Sequence, residues 1–197
     1  QPLRAFLTGG QTNWLAETNI THDATDAAQS GPIGDDNYTW IETRVTGPAT
    51  VSFWWKVSSE QDYDFLIFEL DTIGLLKISG QADWTRQTVT LEPGEHVLRW
   101  KYQKDRNTPV GDDTGWLDQL EITPIETPQP EITNVKLDAT NISATIQLLP
   151  AAGTAVVECS TNLVNWNPLS TNQISGATMN FVRPTTNNAQ FLRVRVQ

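Results

Sequence analysis

Residues 49–71, ATVSFWWKVSSEQDYDFLIFELD, are the stretch of sequence that decides the fold. In its first half, apolar side chains recur at every second position from Val51 to Val57, which is the period of a β-strand with one buried face. The same alternation returns in the second half, from Leu66 to Leu70. A short acidic turn separates the two halves. The pattern therefore predicts two strands joined by a turn, each burying one face.

The side chains between these core positions are unusual because several of them are also apolar. Trp54, Phe65 and Ile67 point away from the predicted core, next to Lys56 and Glu69. A half-buried strand normally carries polar residues on its outer face. The sequence therefore predicts an outward apolar strip that either is covered by another segment or binds a ligand.

The composition favours an all-β extracellular protein over a helical or disordered one. Of the 197 residues, 38% are hydrophobic and 18% charged, and 8 are tryptophan. Turn-forming residues such as Gly47-Pro48 and Pro93-Gly94 recur every 8 to 12 residues in the first part of the chain, which is typical of a β-sandwich or jelly roll. No apolar run reaches the roughly 18 residues of a membrane helix. The single cysteine, Cys159, excludes an internal disulfide.

The charge is unevenly distributed along the chain. Residues 1–126 carry 20 acidic and 9 basic side chains, a net charge of −11, whereas residues 127–197 carry 3 and 4, a net charge of +1. This asymmetry predicts two folding units. An acidic first unit argues against nucleic acid and anionic lipid as partners, because phosphates require Lys and Arg clusters. A bound cation or a neutral polymer remains compatible with it.

The strand patterns then divide the chain into three parts. Residues 1–124 are predicted to form a jelly-roll β-sandwich, and residues 125–130 a stiff, proline-rich linker. Residues 131–197 contain six or seven short strand-like runs, which predict a small immunoglobulin-like or fibronectin type III-like sandwich. The residues after Gln1 do not form a basic and apolar leader, and we expect a mature fragment or a piece of a larger exported protein.

Motifs throughout the chain carry a resemblance to known modules. In the first unit they are Gly9-Gly10, Asn13-Trp14, Thr21-His22-Asp23, DAAQSG at 26–31, FWWKVSSE at 53–60, ISG at 78–80, LRW at 98–100 and GWLDQ at 115–119. Together they resemble a module of large secreted or surface-displayed bacterial proteins, related to the MAM and cleaved-adhesin jelly rolls. The second unit, with ECSTNLVNW at 158–166 and FLRVR at 191–195, resembles the small fibronectin-like domains of such proteins. The resemblance implies a noncatalytic accessory role beside other domains of a larger chain, without fixing the ligand.

Outward aromatic residues beside polar ones are the first candidate site. Sugar rings pack their C–H faces on aromatic rings, and nearby polar groups bind the hydroxyls, so this mixture predicts binding of an extracellular polysaccharide. The candidate ligand-binding residues are Trp40, Trp54, Tyr63, Trp84, Arg99 and Lys101. The alternative is that the irregular segment 13–34 covers the outward aromatics. The competing function is an adhesive or spacer module that contacts protein or only positions its neighbours.

A structural calcium ion is the second candidate. Calcium takes six to eight oxygen ligands, and aspartates are frequent in the loops of the first unit. The resemblance to jelly rolls implies a calcium ion between an early loop and the last strand, which matches Asp23 or Asp26 with Asp118. No EF-hand spacing is present. The alternative is that these are solvated turn aspartates and caps.

Catalysis is the third candidate, and the sequence argues against it. Glu60, Asp62 and Asp64 alternate along an extended run, and paired carboxylates can hydrolyse glycosides. Their position in an acidic turn instead predicts a solvated surface. His96 alternates with buried positions and is predicted to be a satisfied core or rim histidine, and no His or Cys cluster suggests zinc. We therefore expect a noncatalytic protein.

The sequence as a whole leads us to expect a monomer that is secreted or displayed on a bacterial surface. We expect it to bind neither nucleic acid nor the membrane interior.

Overall fold

The computed structural model describes residues 5–106, 109–126, 130–147, 153–174, 176–184 and 191–196. Within these residues the protein is all-β, as predicted, and the strand pairs are antiparallel. The chain divides into two compact units, Gln1–Glu126 and Thr127–Gln197. Residues 127–129, in the middle of the predicted linker, lie outside the described residues. No helix of the described residues is long and apolar enough to cross a membrane.

The first unit is built from eight strands that share one hydrogen-bonded network. They are β1 (Leu7–Gly10), β2 (Leu15–Glu17), β3 (Ala27–Gln29), β4 (Tyr38–Ser58), β5 (Phe65–Leu70), β6 (Ile73–Ile78), β7 (Gln81–Gln103) and β8 (Thr114–Pro124). Neighbouring strands follow the order β2-β3-β8-β4-β7-β5-β6, and β1 pairs with β4. The long strands β4 and β7 therefore occupy the middle of the network.

Strands β4 and β7 pair along almost their whole length and bend together at one corner. The sequence predicted turns at Gly47-Pro48 and Pro93-Gly94, but both pairs lie inside continuous strands, where Gly47 is opposite Gly94. A side chain on Gly47 would collide with the backbone carbonyl oxygen of Glu92, and Gly94 has a φ of 130°. Both positions therefore need glycine. The prolines lack the N–H group that would continue the ladder. These turn-forming residues therefore bend the two strands here and do not end them.

The bend folds the network into two layers. Layer A contains β1, β5, β6 and residues 38–46 and 95–103 of the long strands; layer B contains β2, β3, β8 and residues 49–58 and 81–91. Their inner faces pack on each other. The ring centroid of Phe53 in layer B lies 5.0 Å from that of Phe68 and 5.1 Å from that of Trp100, both in layer A. The first unit is therefore a jelly-roll-like β-sandwich.

The two halves of the 49–71 stretch enter the core from opposite layers. Phe53 and Phe68 are both fully buried, as the alternation predicted. However, β5 pairs with residues 98–103 of β7 and not with β4. Trp54 consequently faces outward from layer B, whereas Phe65 and Ile67 face outward from layer A. The prediction of a single apolar strip is wrong, because the connection between the runs crosses the sandwich.

That connection, residues 59–64, is anchored by a buried carboxylate. The side chain of Asp64 has no exposed surface, and one of its oxygens accepts a hydrogen bond from the Asp105 main-chain N–H at 2.9 Å. The other carboxylate oxygen has no hydrogen-bond partner among the described residues. Burial, reinforced by the nearby charge of Asp113, raises the pKa of Asp64. The prediction of a solvated acidic turn is therefore wrong for Asp64.

The second unit is a smaller sandwich of two three-stranded sheets. Its strands are β9 (Glu131–Leu137), β10 (Asn141–Gln147), β11 (Thr154–Ser160), β12 (Asn167–Gln173), β13 (Thr178–Pro184) and β14 (Phe191–Val196). They form sheets in the orders β13-β10-β9 and β12-β11-β14. Ile146 from the first sheet packs against Ala155 and Val157 from the second, and this contact forms the core.

We predict that Gly47→Ala destabilises the first unit by about 2 kcal/mol, because the new methyl group must displace the backbone of the paired strand. Urea denaturation of the full chain measures the loss. Gly74→Ala is the matched control, since a methyl group there would meet only Ile67 at an ordinary 3.6 Å. Equal stability of the two variants would contradict the role given to the bend of β4 and β7 at Gly47.

We also predict that the effect of Asp64→Asn depends on pH. The folded-state pKa of Asp64 is raised, so folding favours the protonated acid. The free energy of unfolding of the wild type, relative to that of the variant, should therefore fall as the pH rises above about 3.9, the pKa of an aspartate in the unfolded chain. Urea denaturation at pH 4, 6 and 8 measures the difference, and the exposed neighbour Asp62→Asn controls for loss of a negative charge. A wild-type advantage that grows with pH would disprove the interpretation.

Candidate functional site

The outward face of layer B carries three aromatic side chains in contact, His22, Trp54 and Trp84, which we call the aromatic corner. Trp54 lies on β4 and Trp84 on β7, while His22 comes from the irregular segment that precedes β3. The His22 ring stacks on Trp54 with the centroids 3.7 Å apart and the planes 18° from parallel. It meets Trp84 at a steep angle, with the centroids 6.0 Å apart. Both indoles are half-buried.

Strand β8 holds His22 in this position. The His22 main-chain N–H donates to a carboxylate oxygen of Asp118 at 2.7 Å, and ring atom Nδ1 lies 2.9 Å from the side-chain oxygen of Gln119. Asp118 is buried and stands directly opposite Trp54 in the strand register. The alternative that the 13–34 segment covers outward aromatics therefore holds for one face of Trp54.

Ion pairs flank the aromatic corner on two sides. The Lys56 ammonium lies 2.7 Å from Asp83, and its hydrogen bond lowers the pKa of that carboxyl group. The Arg86 guanidinium lies 2.9 Å from Glu121 and also donates to the Ser52 hydroxyl at 2.9 Å. Hydrogen-bond donors and acceptors therefore border the aromatic rings.

The structure places three other predicted ligand-binding residues, Trp40, Arg99 and Lys101, on the outward face of layer A. The Trp40 indole packs on Gly9, since a Cβ atom added to Gly9 would lie only 2.6 Å from the indole. The Arg99 guanidinium lies 4.7 Å from the centroid of the Trp40 ring. Arg99 pairs with buried Glu42 at 2.6 Å, and Lys101 pairs with buried Glu69 at 2.7 Å. These groups are engaged with one another.

Tyr63 belongs to neither face. It lies in the 59–64 connection, where it is 54% exposed. The six predicted residues thus divide among three places, and only Trp54 and Trp84 come together around a further aromatic ring. Strand alternation missed His22 because its segment is irregular, although the Thr21-His22-Asp23 motif contains it.

The three predicted metal ligands line one cavity of about 660 Å³, together with apolar residues that include Trp14. Asp118, however, already accepts the main-chain N–H groups of His22 and Gln119, and Asp23 accepts that of Thr25 at 2.8 Å. Among the described residues, no three His, Cys, Asp or Glu side chains are placed to hold a metal ion. Calcium binding at Asp23, Asp26 and Asp118 therefore stays a prediction.

Two of the residues considered for catalysis, Asp64 and His96, have structural contacts. The Asp64 carboxylate is fully buried, so a substrate does not reach it. His96 lies 2.7 Å from Asp71 through Nδ1 and 2.9 Å from the Glu92 carbonyl through Nε2, so it is the satisfied rim histidine that the alternation predicted. The hydrogen bond with Asp71 is the main cause that raises the pKa of His96.

Comparison with known proteins gives similarities of structure only. No family model matches the chain, and no curated protein matches it, so the MAM-like or adhesin-like assignment stays a prediction. The secreted serine protease VesC from Vibrio cholerae is 14% identical with a TM-score of 0.47; the match covers 57% of this chain and 24% of the protease, so the chain spans about a quarter of that relative. The carbohydrate-binding module TmCBM61, solved with β-1,4-galactotriose, is 14% identical with a TM-score of 0.39, covering 61% of this chain and 88% of the module. A β-1,2-glucanase from Parabacteroides distasonis is 8% identical with a TM-score of 0.36, covering 98% of this chain and 36% of the enzyme.

Proposed function

We propose that this protein is a noncatalytic carbohydrate-binding module of a larger secreted or surface-displayed bacterial protein. Its ligand is an extracellular polysaccharide, bound at the aromatic corner. The observation that carries the proposal is the grouping of Trp54, Trp84 and His22 on the outward face of layer B, with ion pairs on both sides.

The chemistry of the aromatic corner suits a sugar chain. Half-buried indoles offer apolar surface for the C–H faces of sugar rings. Stacking against His22 fixes the Trp54 ring before the ligand arrives, which reduces the entropy that binding must remove. The Lys56–Asp83 and Arg86–Glu121 pairs supply donors and acceptors for the hydroxyl groups.

The alternative function is an adhesive or spacer module that contacts protein or only positions neighbouring domains. The outward face of layer A favours it, because Trp40 and the charged side chains there are engaged with one another while Leu7, opposite Glu42 in the register, is 56% exposed. Exposed apolar residues bordered by polar groups are a feature of protein contact surfaces.

We predict that Trp84→Ala and Trp54→Ala each weaken polysaccharide binding about tenfold or more, because each removes a stacking surface. Glycan arrays and pull-down on insoluble polysaccharides identify a bound polymer, and calorimetry then compares the variants. Trp166→Ala, in the second unit, is the matched control and should bind like the wild type. Bound polymers should release no reducing sugar.

Three results would contradict this proposal. If neither Trp variant changes the binding of an identified polymer, the aromatic corner is not the site. If Trp40→Ala abolishes binding instead, the site lies on the outward face of layer A. Absence of binding to every polymer on the array would favour the adhesive or spacer function.

Calcium binding at Asp23, Asp26 and Asp118 is a separate proposal, derived from the jelly-roll resemblance. An ion that binds only the folded protein stabilises it by RT ln(1 + [L]/Kd), so the melting temperature rises with the ion concentration. We therefore expect EDTA to lower the melting temperature, calcium to restore it, and Asp118→Asn to remove this dependence. A melting temperature that is the same in EDTA and in millimolar calcium would reject a stabilising ion.

A further inference from the structure

The cations beside the aromatic corner are already neutralised by carboxylates. Lys56 lies 2.7 Å from Asp83, and Arg86 lies 2.9 Å from Glu121. Strand β8 adds the buried carboxylate of Asp118 directly opposite Trp54. The charged groups that surround the corner therefore contain at least as many negative as positive side chains.

Two cations on the outward face of layer A, Arg99 and Lys101, follow the same rule. The Arg99 guanidinium lies 2.6 Å from Glu42 and 3.9 Å from Glu69, and the Lys101 ammonium lies 2.7 Å from Glu69. With a net charge of −11 over residues 1–126, the field of the whole unit repels polyanions and is strongest at low salt.

Acidic and neutral glycans place different demands on such a surface. A carboxylate or sulfate group binds best to an unpaired Arg or Lys, and here it would have to displace an existing carboxylate partner. A hydroxyl group both donates and accepts, so it can donate to the free lone pairs of a paired carboxylate while it accepts from an N–H of the cation. An intact ion pair is therefore a suitable partner for neighbouring hydroxyls.

From these contacts we infer that the polymer bound at the aromatic corner is an uncharged glycan, recognised through its hydroxyl groups and not through acidic substituents. The inference rests on the proposed function, since it concerns the same site. It adds the class of ligand, which the aromatic rings alone do not distinguish.

Chemically matched polymers test the inference. The probes are mannan, galactan and a soluble β-glucan, each with a derivative in which the C6 hydroxyls are selectively oxidised to carboxylates. For each neutral polymer that binds the full chain, the oxidised form should bind at least tenfold more weakly at 50 mM NaCl. The Kd for the neutral form should change less than twofold between 50 and 500 mM NaCl, because no counterions are released.

Charge variants supply the complementary test. Asp83→Asn and Glu121→Gln each free one cation beside the corner, at side chains that are 85% and 66% exposed and therefore tolerate the change. Each should create salt-sensitive binding to the oxidised polymers that the wild type lacks. Glu95→Gln is the control, because it removes a negative charge next to the bend of β4 and β7 and not at the aromatic corner. It should create no binding to the oxidised polymers.

The outcomes separate the two proposals. Binding of the neutral polymers without binding of their oxidised forms supports the inference. Tighter binding of oxidised polymers, lost at high salt, overturns the inference but leaves carbohydrate binding intact. Failure of both forms to bind overturns the proposed function and the inference with it.

Discussion

The collision that any side chain at Gly47 would cause with Glu92 is the constraint on which the first unit depends. It requires glycine at position 47 of the ladder formed by β4 and β7, opposite Gly94, where a φ of 130° requires glycine as well. At that point both strands bend without separating, so the hydrogen bonding of one layer continues into the other. The same two strands therefore supply the centre of both layers, and their inner side chains meet in a single core.

The bend also decides which outward side chains can act together. Because a strand crosses from one layer to the other, residues close in sequence face opposite sides of the sandwich. Trp40 and Trp54 both lie on β4 and both point outward, yet one is shielded by Gly9 and Arg99 while the other stacks on His22. A ligand on one face does not contact the other, so Trp40 and Trp54 belong to two separate surfaces.

Local patterns predicted burial well and pairing poorly. Alternation identified Phe53, Trp55 and Phe68 as core residues, and each is at most 1% exposed. Alternation does not say which strands are neighbours, so Phe65 and Trp54 were assigned to one strip. The burial of Asp64 depends on an N–H group 41 residues away, and His22 reaches Trp54 through contacts with β8. Such contacts between distant segments leave no periodic signal in the sequence.

Asp118 connects the two properties predicted for this unit. Its carboxylate oxygens accept the N–H groups of His22 and Gln119, and the first of these bonds holds His22 over Trp54. A calcium ion bound by Asp118 would compete with these donors for the same oxygens. Such coupling is reciprocal. If the ion loosens His22, and if a sugar chain binds only while His22 is stacked on Trp54, then the bound sugar chain weakens the binding of the ion by the same factor. A calcium ion and a sugar chain that both bound here would therefore be antagonists, unless the ion used lone pairs that leave both hydrogen bonds intact.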